Sequence, residues 1–137
     1  MNTARTAHRA LVIAFAGGIV VQFFLAGVGV FGAASFDAHG MFGTLLTLVA
    51  LLIVVTASIG RAEVKLSAGL FVLTFVQGIL VPLGDVSPWI AALHPVNALA
   101  LVAVTTLLVR RRAVGTDPAG PIPATERSYA AHPSEAA

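Results

Sequence analysis

The sequence predicts an all-α membrane protein, an up-down bundle of four transmembrane helices formed by two tandem helical hairpins. Three observations lead to this fold class: the composition, four long apolar runs and an internal repeat. Of the 137 residues, 58% are hydrophobic and only 10% are charged, whereas soluble domains carry about 25% charged residues. The chain has no cysteine, which excludes disulfides, thiolate metal ligands and c-type haem attachment.

The four apolar runs are each near the length of about 20 residues that a helix needs to cross a bilayer. The predicted spans cover residues 10–32, 39–59, 66–83 and 89–109, within a transmembrane domain of residues 10–112. The first run exceeds the about 7–15 apolar residues of a cleaved signal peptide, so we expect it to be retained. Residues 1–9 form a polar N-terminus, where His8 has no predicted role. Prolines among small and charged residues predict a disordered tail over 113–137.

The positive charges predict the orientation, because Lys and Arg mark the cytoplasmic side of a membrane protein. They flank the first span, lie between the second and third, and follow the fourth. The two other loops hold Asp37 and Asp85 and no Lys or Arg. We therefore expect a multi-pass protein of the bacterial inner membrane, with the N-terminus and the tail both in the cytoplasm.

An internal repeat relates the two hairpins at a constant offset of 55 residues. In this register Gln22 corresponds to Gln77, and His39 corresponds to His94. The glutamine match is informative because the chain has no other glutamine. Corresponding helices of the two hairpins are two spans apart and cross the membrane in the same direction. The copies would therefore be parallel repeats related by an axis along the membrane normal. The two histidines would then begin the second and fourth helices at equal depth, on diagonal positions across the core.

This histidine pair predicts a cofactor site at the outer end of the bundle. Two neutral imidazoles that face each other across a core can hold one haem b through its iron. Polar and small residues near the pair would complete the site: Gln22, Gln77, Asn97, Gly29, Gly43 and Gly84. The glycines would leave a slot for the macrocycle. The outer loops lack the Lys or Arg that haem propionates usually bind, so backbone N–H groups, Ser35 or Ser87 would serve instead.

The same residues also have a purely structural interpretation. A single histidine at a membrane edge is commonly an interfacial side chain, glutamines hydrogen-bond between helices, and glycines allow close helix packing. Pro95 marks either a kink or the point at which the regular fourth helix begins. The alternative function is therefore a cofactor-free structural or partner-binding bundle. A quinone site and a metal site are further uses of the histidine pair.

Other classes of function have less support in the sequence. No acidic residue lies within a predicted span, whereas proton-coupled exporters use an intramembrane carboxylate. No nucleophile–base pair, phosphate-binding glycine loop or carboxylate pair is present, which argues against an enzyme beyond a redox protein. The triplet Arg110-Arg111-Arg112 follows an apolar run and indicates a membrane-edge anchor, not a nucleic-acid site. The expected partners are the lipid bilayer and a redox protein or quinone.

Three motifs resemble a family of short bacterial four-helix membrane proteins of unknown function. They are Gln-Phe-Phe-Leu-Ala-Gly-Val-Gly-Val-Phe-Gly in the first span, Phe-Asp-Ala-His-Gly before the second and Leu-His-Pro-Val-Asn-Ala in the fourth. More distantly, the arrangement is similar to one half of haem A synthase and to the transmembrane b-type cytochromes, whose histidines ligate haem near the outer face. That resemblance implies that His39 and His94 are haem ligands. The glutamate that accompanies the histidines of the synthase has no counterpart here, so the resemblance implies electron transfer and not synthase chemistry.

Overall fold

The structure is a computed structural model that describes residues 2–114, with side chains described through residue 111. This range is helical apart from its connections. The elements in chain order are α1 (Asn2–Val30), α2 (Asp37–Gly60), α3 (Val64–Leu80), a 3₁₀ helix (Pro82–Asp85), α4 (Pro88–Ala91) and α5 (Leu93–Val114). The predicted disordered tail lies outside the described residues, except that α5 continues through Val114.

Four helical segments are long and apolar enough to cross a membrane. They are Asn2–Val30, Asp37–Gly60, Val64–Asp85 and Pro88–Arg111. Each of the helices α1, α2, α3 and α5 packs against the next, and α1 closes the bundle against α5. Helices α2 and α5 therefore lie on a diagonal of the bundle. The predicted all-α, four-span fold is confirmed, and the chain is a small multi-pass membrane protein.

Apolar side chains fill the centre of the bundle and also cover its outside. The buried core consists of Val12, Phe15, Leu46, Ala50, Ile53, Leu70, Leu101 and Leu108. On the outside, Val20 and Phe24 of α1 are 70% and 69% exposed. A helix in a soluble bundle would carry polar residues on that face. The apolar exterior therefore fits contact with the lipid bilayer.

The end of α1 explains the small residues that follow the first span. Gly32 has φ of +71°, a conformation that glycine adopts without the clash of a Cβ atom. The N–H of Ala33 donates to the carbonyl of Val28 at 3.0 Å, and the N–H of Gly32 donates to that of Gly29 at 3.1 Å. This is the glycine-terminated type of helix end. The small residues turn the chain toward α2.

Helix α1 begins at Asn2, ahead of the predicted first span, and this changes the environment of His8. Its side chain is 1% exposed, and its Nδ1 lies 3.5 Å from the hydroxyl of Thr56 on α2. One turn earlier, the Arg5 Nε–H donates to the carbonyl of Gly60 at 3.1 Å. The sequence predicts a polar terminus over residues 1–9 with no role for His8, whereas the structure packs His8 inside the bundle.

The fourth span is divided into two helices. The N–H of Ala92 bonds the carbonyl of Pro88 at 2.9 Å and ends α4, and α5 then begins at Leu93. Pro95 has no N–H to donate to Ala91. A new helix start at Leu93 places Pro95 in a first turn, where N–H groups have no intrahelical partner. Of the two predicted meanings of Pro95, the structure matches a helix that begins close to it.

Candidate functional site

The two histidines of the predicted site face each other across the diagonal of the bundle. His39 lies in the first turn of α2, and His94 is the second residue of α5. Their ring centroids are 6.1 Å apart, with the ring planes tilted by 58°. Both side chains are half-buried. They lie at the end of the bundle that also carries Asp37 and Asp85, which we call the acidic end.

A backbone carbonyl holds one nitrogen of each imidazole. The Nδ1 of His39 lies 3.2 Å from the carbonyl oxygen of Gln22, and the Nδ1 of His94 lies 3.1 Å from that of Gln77. A carbonyl oxygen only accepts, so each Nδ1 carries the hydrogen and donates it. In the neutral ring this leaves the lone pair on Nε2. Both rings are thus fixed in the form that can ligate a metal through Nε2.

These two contacts occupy equivalent positions of the two hairpins. Each joins a histidine to the glutamine 17 residues before it, and the two pairs are offset by 55 residues along the chain. In each hairpin the glutamine lies on the helix that approaches the acidic end and the histidine on the helix that leaves it.

Asn97 completes a polar network in the second hairpin. Its Nδ2 donates to the side-chain oxygen of Gln77 at 2.6 Å and to the carbonyl of Leu73 at 2.9 Å. The amide nitrogen of Gln77 in turn donates to the carbonyl of His94 at 3.0 Å. Helices α3 and α5 are therefore joined by side chain and backbone around the His94 ring.

The first hairpin lacks this network. The position that corresponds to Asn97 is Phe42, which has no polar group to offer. The side-chain oxygen of Gln22 is buried and has no hydrogen-bond partner. Its amide nitrogen lies beside Gly43, where an added Cβ would come within 2.8 Å of it. The two glutamines thus share a contact to histidine but differ in the partners of their amides.

The predicted glycines make room for the protein's own side chains. A Cβ at Gly29 would approach the ring of Phe36 to 2.7 Å, and one at Gly84 would lie 3.2 Å from the Cβ of Ala91. Phe36 also meets His39 edge to face, with ring centroids 6.2 Å apart. Sequence reasoning did not select Phe36. Its position three residues before His39, at the entry to α2, is the signal that could have identified it.

The acidic end offers hydroxyl and backbone donors but no cationic side chain in its loops. The Ser35 hydroxyl donates to the Asp37 carboxylate at 2.7 Å. The opposite end, which we call the basic end, carries the Lys and Arg residues of the turn between α2 and α3 and of the end of α5. There, Arg111 and Glu63 form an ion pair at 3.5 Å.

Residues 22–84 match a family of unknown function, DUF6220. This range includes Gln22, His39 and Gln77 and ends before His94. No curated protein matches the chain, and no solved structure matches it. The match agrees with the predicted resemblance to an uncharacterised family and brings no activity with it. The resemblance to haem A synthase and to b-type cytochromes stays a prediction.

Proposed function

We propose that the chain is a small b-type membrane cytochrome, in which His39 and His94 hold one haem b for electron transfer to a redox protein or quinone. The separation of the two rings carries this proposal. Two metal–imidazole bonds of about 2.0 Å on opposite sides of one iron, together with the ring radii, separate the centroids by roughly 6.3 Å. The centroids of His39 and His94 are 6.1 Å apart.

The hydrogen bonds of the rings give separate support. Histidines that ligate a metal almost always donate their other ring N–H to a carbonyl, a carboxylate or water, which fixes the ring and raises its basicity. Here the acceptors are the carbonyls of Gln22 and Gln77. If the two histidines were only interfacial side chains, nothing would require the same ring orientation in both hairpins.

Haem suits this pair better than a bare metal ion does. Within residues 2–111, no three His, Cys, Asp or Glu side chains are grouped so that they could hold a metal ion. A structural zinc site takes about four protein ligands, whereas a porphyrin brings its own equatorial nitrogens and needs only axial ligands. Two imidazoles are sufficient for haem and insufficient for a zinc site.

The surroundings of the pair fit haem in part. Phe36 packs on Gly29 and against His39, so a macrocycle beside His39 requires this ring to move, and Phe36 is 52% exposed. The propionates would meet Ser35, Ser87 and backbone N–H groups in place of Lys or Arg. The two imidazoles therefore support the proposal, whereas the side walls would have to adjust to admit a macrocycle.

The proposal includes the sidedness and origin of the bundle. It places the acidic end outside and both termini in the cytoplasm of a bacterial cell, which the distribution of Lys and Arg supports. It also takes the two hairpins as copies of one duplicated unit. The equivalent histidine–glutamine contacts support that origin.

A cofactor-free bundle is the second candidate, and a specific observation favours it. The amides of Gln77 and Asn97 are bonded to each other and to backbone carbonyls without any ligand. Such a network can serve solely to hold α3 against α5. Interhelical hydrogen bonds of this kind contribute about 0.6 kcal/mol each inside membranes.

The absorption spectrum separates the two candidates. We would purify the full chain in detergent from haem-supplemented cells and record spectra before and after reduction. We expect a low-spin haem spectrum for the wild type and its loss in H39A and in H94A, because one remaining imidazole leaves an open axial position. H132A, which changes a histidine of the predicted disordered tail, is the matched control and should keep the wild-type spectrum.

A second measurement distinguishes a lost ligand from a misfolded variant. Free imidazole added to haem-reconstituted H94A should restore the low-spin spectrum if only the axial ligand is missing. Colourless wild-type protein from haem-rich cells would overturn the proposal and leave the cofactor-free bundle. A wild-type spectrum in the H39A/H94A double variant would show that these two histidines are not the haem ligands.

A further inference from the structure

A second polar layer lies inside the bundle near the basic end, separate from the histidine pair. His8 on α1, Ser67 on α3 and Thr105 on α5 are 1%, 0% and 3% exposed, respectively. Thr56 on α2 lies beside His8. Each of the four long helices thus contributes one polar side chain, and we call these four residues the inner polar layer.

Contacts between the helices place the four residues at one height. His8 and Thr56 are in contact across α1 and α2. Thr56 lies four residues before the end of α2, and Ser67 is the fourth residue of α3. Both therefore lie about one helical turn from the connection between α2 and α3. Two contacts align α3 with α5: Glu63 pairs with Arg111, and Leu73 bonds Asn97. Ser67 lies between the two contacts on α3, and Thr105 lies between them on α5. The two residues are therefore opposite each other to within about one turn.

Apolar side chains separate this layer from the candidate haem site. The next buried residues toward the acidic end are Val12, Ile53, Leu70 and Leu101. Along α1, Gln22 comes fourteen positions after His8, which corresponds to roughly 20 Å along the helix. The inner polar layer is therefore an independent feature, and nothing in it rests on the binding of haem.

Two hydroxyls of this layer have no hydrogen-bond partner. They are Ser67 Oγ and Thr105 Oγ1, both fully enclosed. A helical Ser or Thr can donate to the carbonyl four residues earlier, as the buried Thr74 does to Leu70 at 2.7 Å. Ser67 and Thr105 do not form that bond. Burial of a hydroxyl without a partner costs about 1–3 kcal/mol, and in proteins such groups are commonly satisfied by internal water.

The hydroxyl of Thr56 presents a hydrogen-bond acceptor to His8. Its hydroxyl donates to the carbonyl of Leu52 at 2.8 Å, so toward His8 its oxygen can act only as an acceptor. The His8 ring is thereby oriented by α2, while the hydroxyls of Ser67 and Thr105 enter the same layer from α3 and α5. Polar groups that several helices place at one height of the enclosed core can supply the polar partners, about two to four, that bound water needs.

We propose that the inner polar layer is a hydration site, in which water enclosed by the four helices bridges Ser67, Thr105 and the imidazole of His8. The ligand is water itself, held by the hydroxyl groups of α3 and α5 and by the imidazole of α1. The apolar side chains above the layer confine this water to one end of the bundle.

Water-edited solid-state NMR of the full chain in lipid bilayers tests the proposal. We expect strong magnetisation transfer from water to the His8 ring and to the Thr105 methyl group. Thr74 is the internal reference: it is buried, its hydroxyl is already bonded, and it should receive no transfer. The double variant S67A/T105V should lose most of the transfer at His8, whereas T74V should leave it unchanged.

Thermal unfolding gives a second test that does not depend on the NMR signal. If water bridges the hydroxyls, S67A and T105V each lower the melting temperature, and the loss in the double variant is smaller than the sum of the two. If the layer is dry, removal of an unpaired hydroxyl raises the melting temperature. A rise for both variants, or no transfer from water to His8 and Thr105 in the wild type, would overturn the proposal.

Discussion

At the scale of single residues, the same side chain has different partners in the two hairpins. Gln22 and Gln77 both accept a histidine Nδ1–H through their backbone carbonyls. Only Gln77 has its side-chain oxygen bonded, to Asn97, because the equivalent of Asn97 is Phe42. The backbone contact depends on the path of the helices, whereas the amide contact depends on one neighbouring side chain.

This difference predicts unequal effects of the same substitution. Q77L should lower the free energy of unfolding by roughly 1 kcal/mol, because it removes two hydrogen bonds between α3 and α5. Q22L should leave it unchanged or raise it, because it removes a buried oxygen that has no partner. Titration with SDS of the two purified variants measures both values. Equal losses would show that the Gln22 amide is bonded as well as that of Gln77.

At the scale of helices, the turn between α2 and α3 contains two non-glycine residues with positive φ. Arg61 has φ of 50° and Glu63 has φ of 54°. The Arg61 N–H donates to the Ser58 carbonyl at 3.3 Å, and the Ala62 N–H donates to the Ala57 carbonyl at 3.0 Å. These bonds end α2 in the manner that glycine usually provides. The left-handed conformation costs roughly 1–2 kcal/mol for a residue with a Cβ atom.

R61G should therefore raise the free energy of unfolding, by up to about 1 kcal/mol, since glycine adopts this conformation without strain. The matched control is K65G, which removes the same charge from within α3 and should lower the free energy of unfolding by up to about 1 kcal/mol. SDS titration compares the two variants directly. A loss of stability in R61G as large as that in K65G would contradict the assignment of strain to this turn.

The division of the fourth span is also decided at this scale. Because Pro95 cannot bond Ala91, α5 starts at Leu93 and presents His94 in its first turn. The position of the imidazole thus follows from a break in the helix.

At the scale of the whole molecule, charge divides the bundle into two ends. The basic end holds the cationic residues Arg5, Arg9, Arg61, Lys65, Arg110 and Arg111, and the acidic end holds Asp37 and Asp85. The candidate haem site lies at the acidic end and the inner polar layer near the basic end. Since Lys and Arg mark the cytoplasmic side, the two polar sites are expected to face opposite compartments.

Reporter fusions at three connections test this sidedness. Fusions after Ala34 and after Val86 should report an outside location, and a fusion after Glu63 should report a cytoplasmic one. Enzymatic reporters that are active on only one side of the membrane provide the measurement. An outside signal from the Glu63 fusion would contradict both the four-span orientation and the proposed outer position of His39 and His94.

The sequence alone was enough to predict the number of spans, the ends to which the charges belong and the pairing of His39 with His94. Each of these depends on quantities that are local or periodic along the chain. Apolar runs of bilayer length fold as helices in any four-helix arrangement. A fixed offset between two histidines and two glutamines carries over directly to equivalent positions in two hairpins.

The packing of the helices, which the sequence does not reveal, sets which polar groups are enclosed and which of them have partners. His8 lies in a polar stretch of sequence, and its burial arises because α1 extends to Asn2 and packs against Thr56. The space beside Gly29 and Gly43 is occupied by Phe36 and Gln22, which hydropathy does not reveal. Burial and hydrogen-bond satisfaction are properties of contacts between distant segments, so they are fixed only when the helices come together.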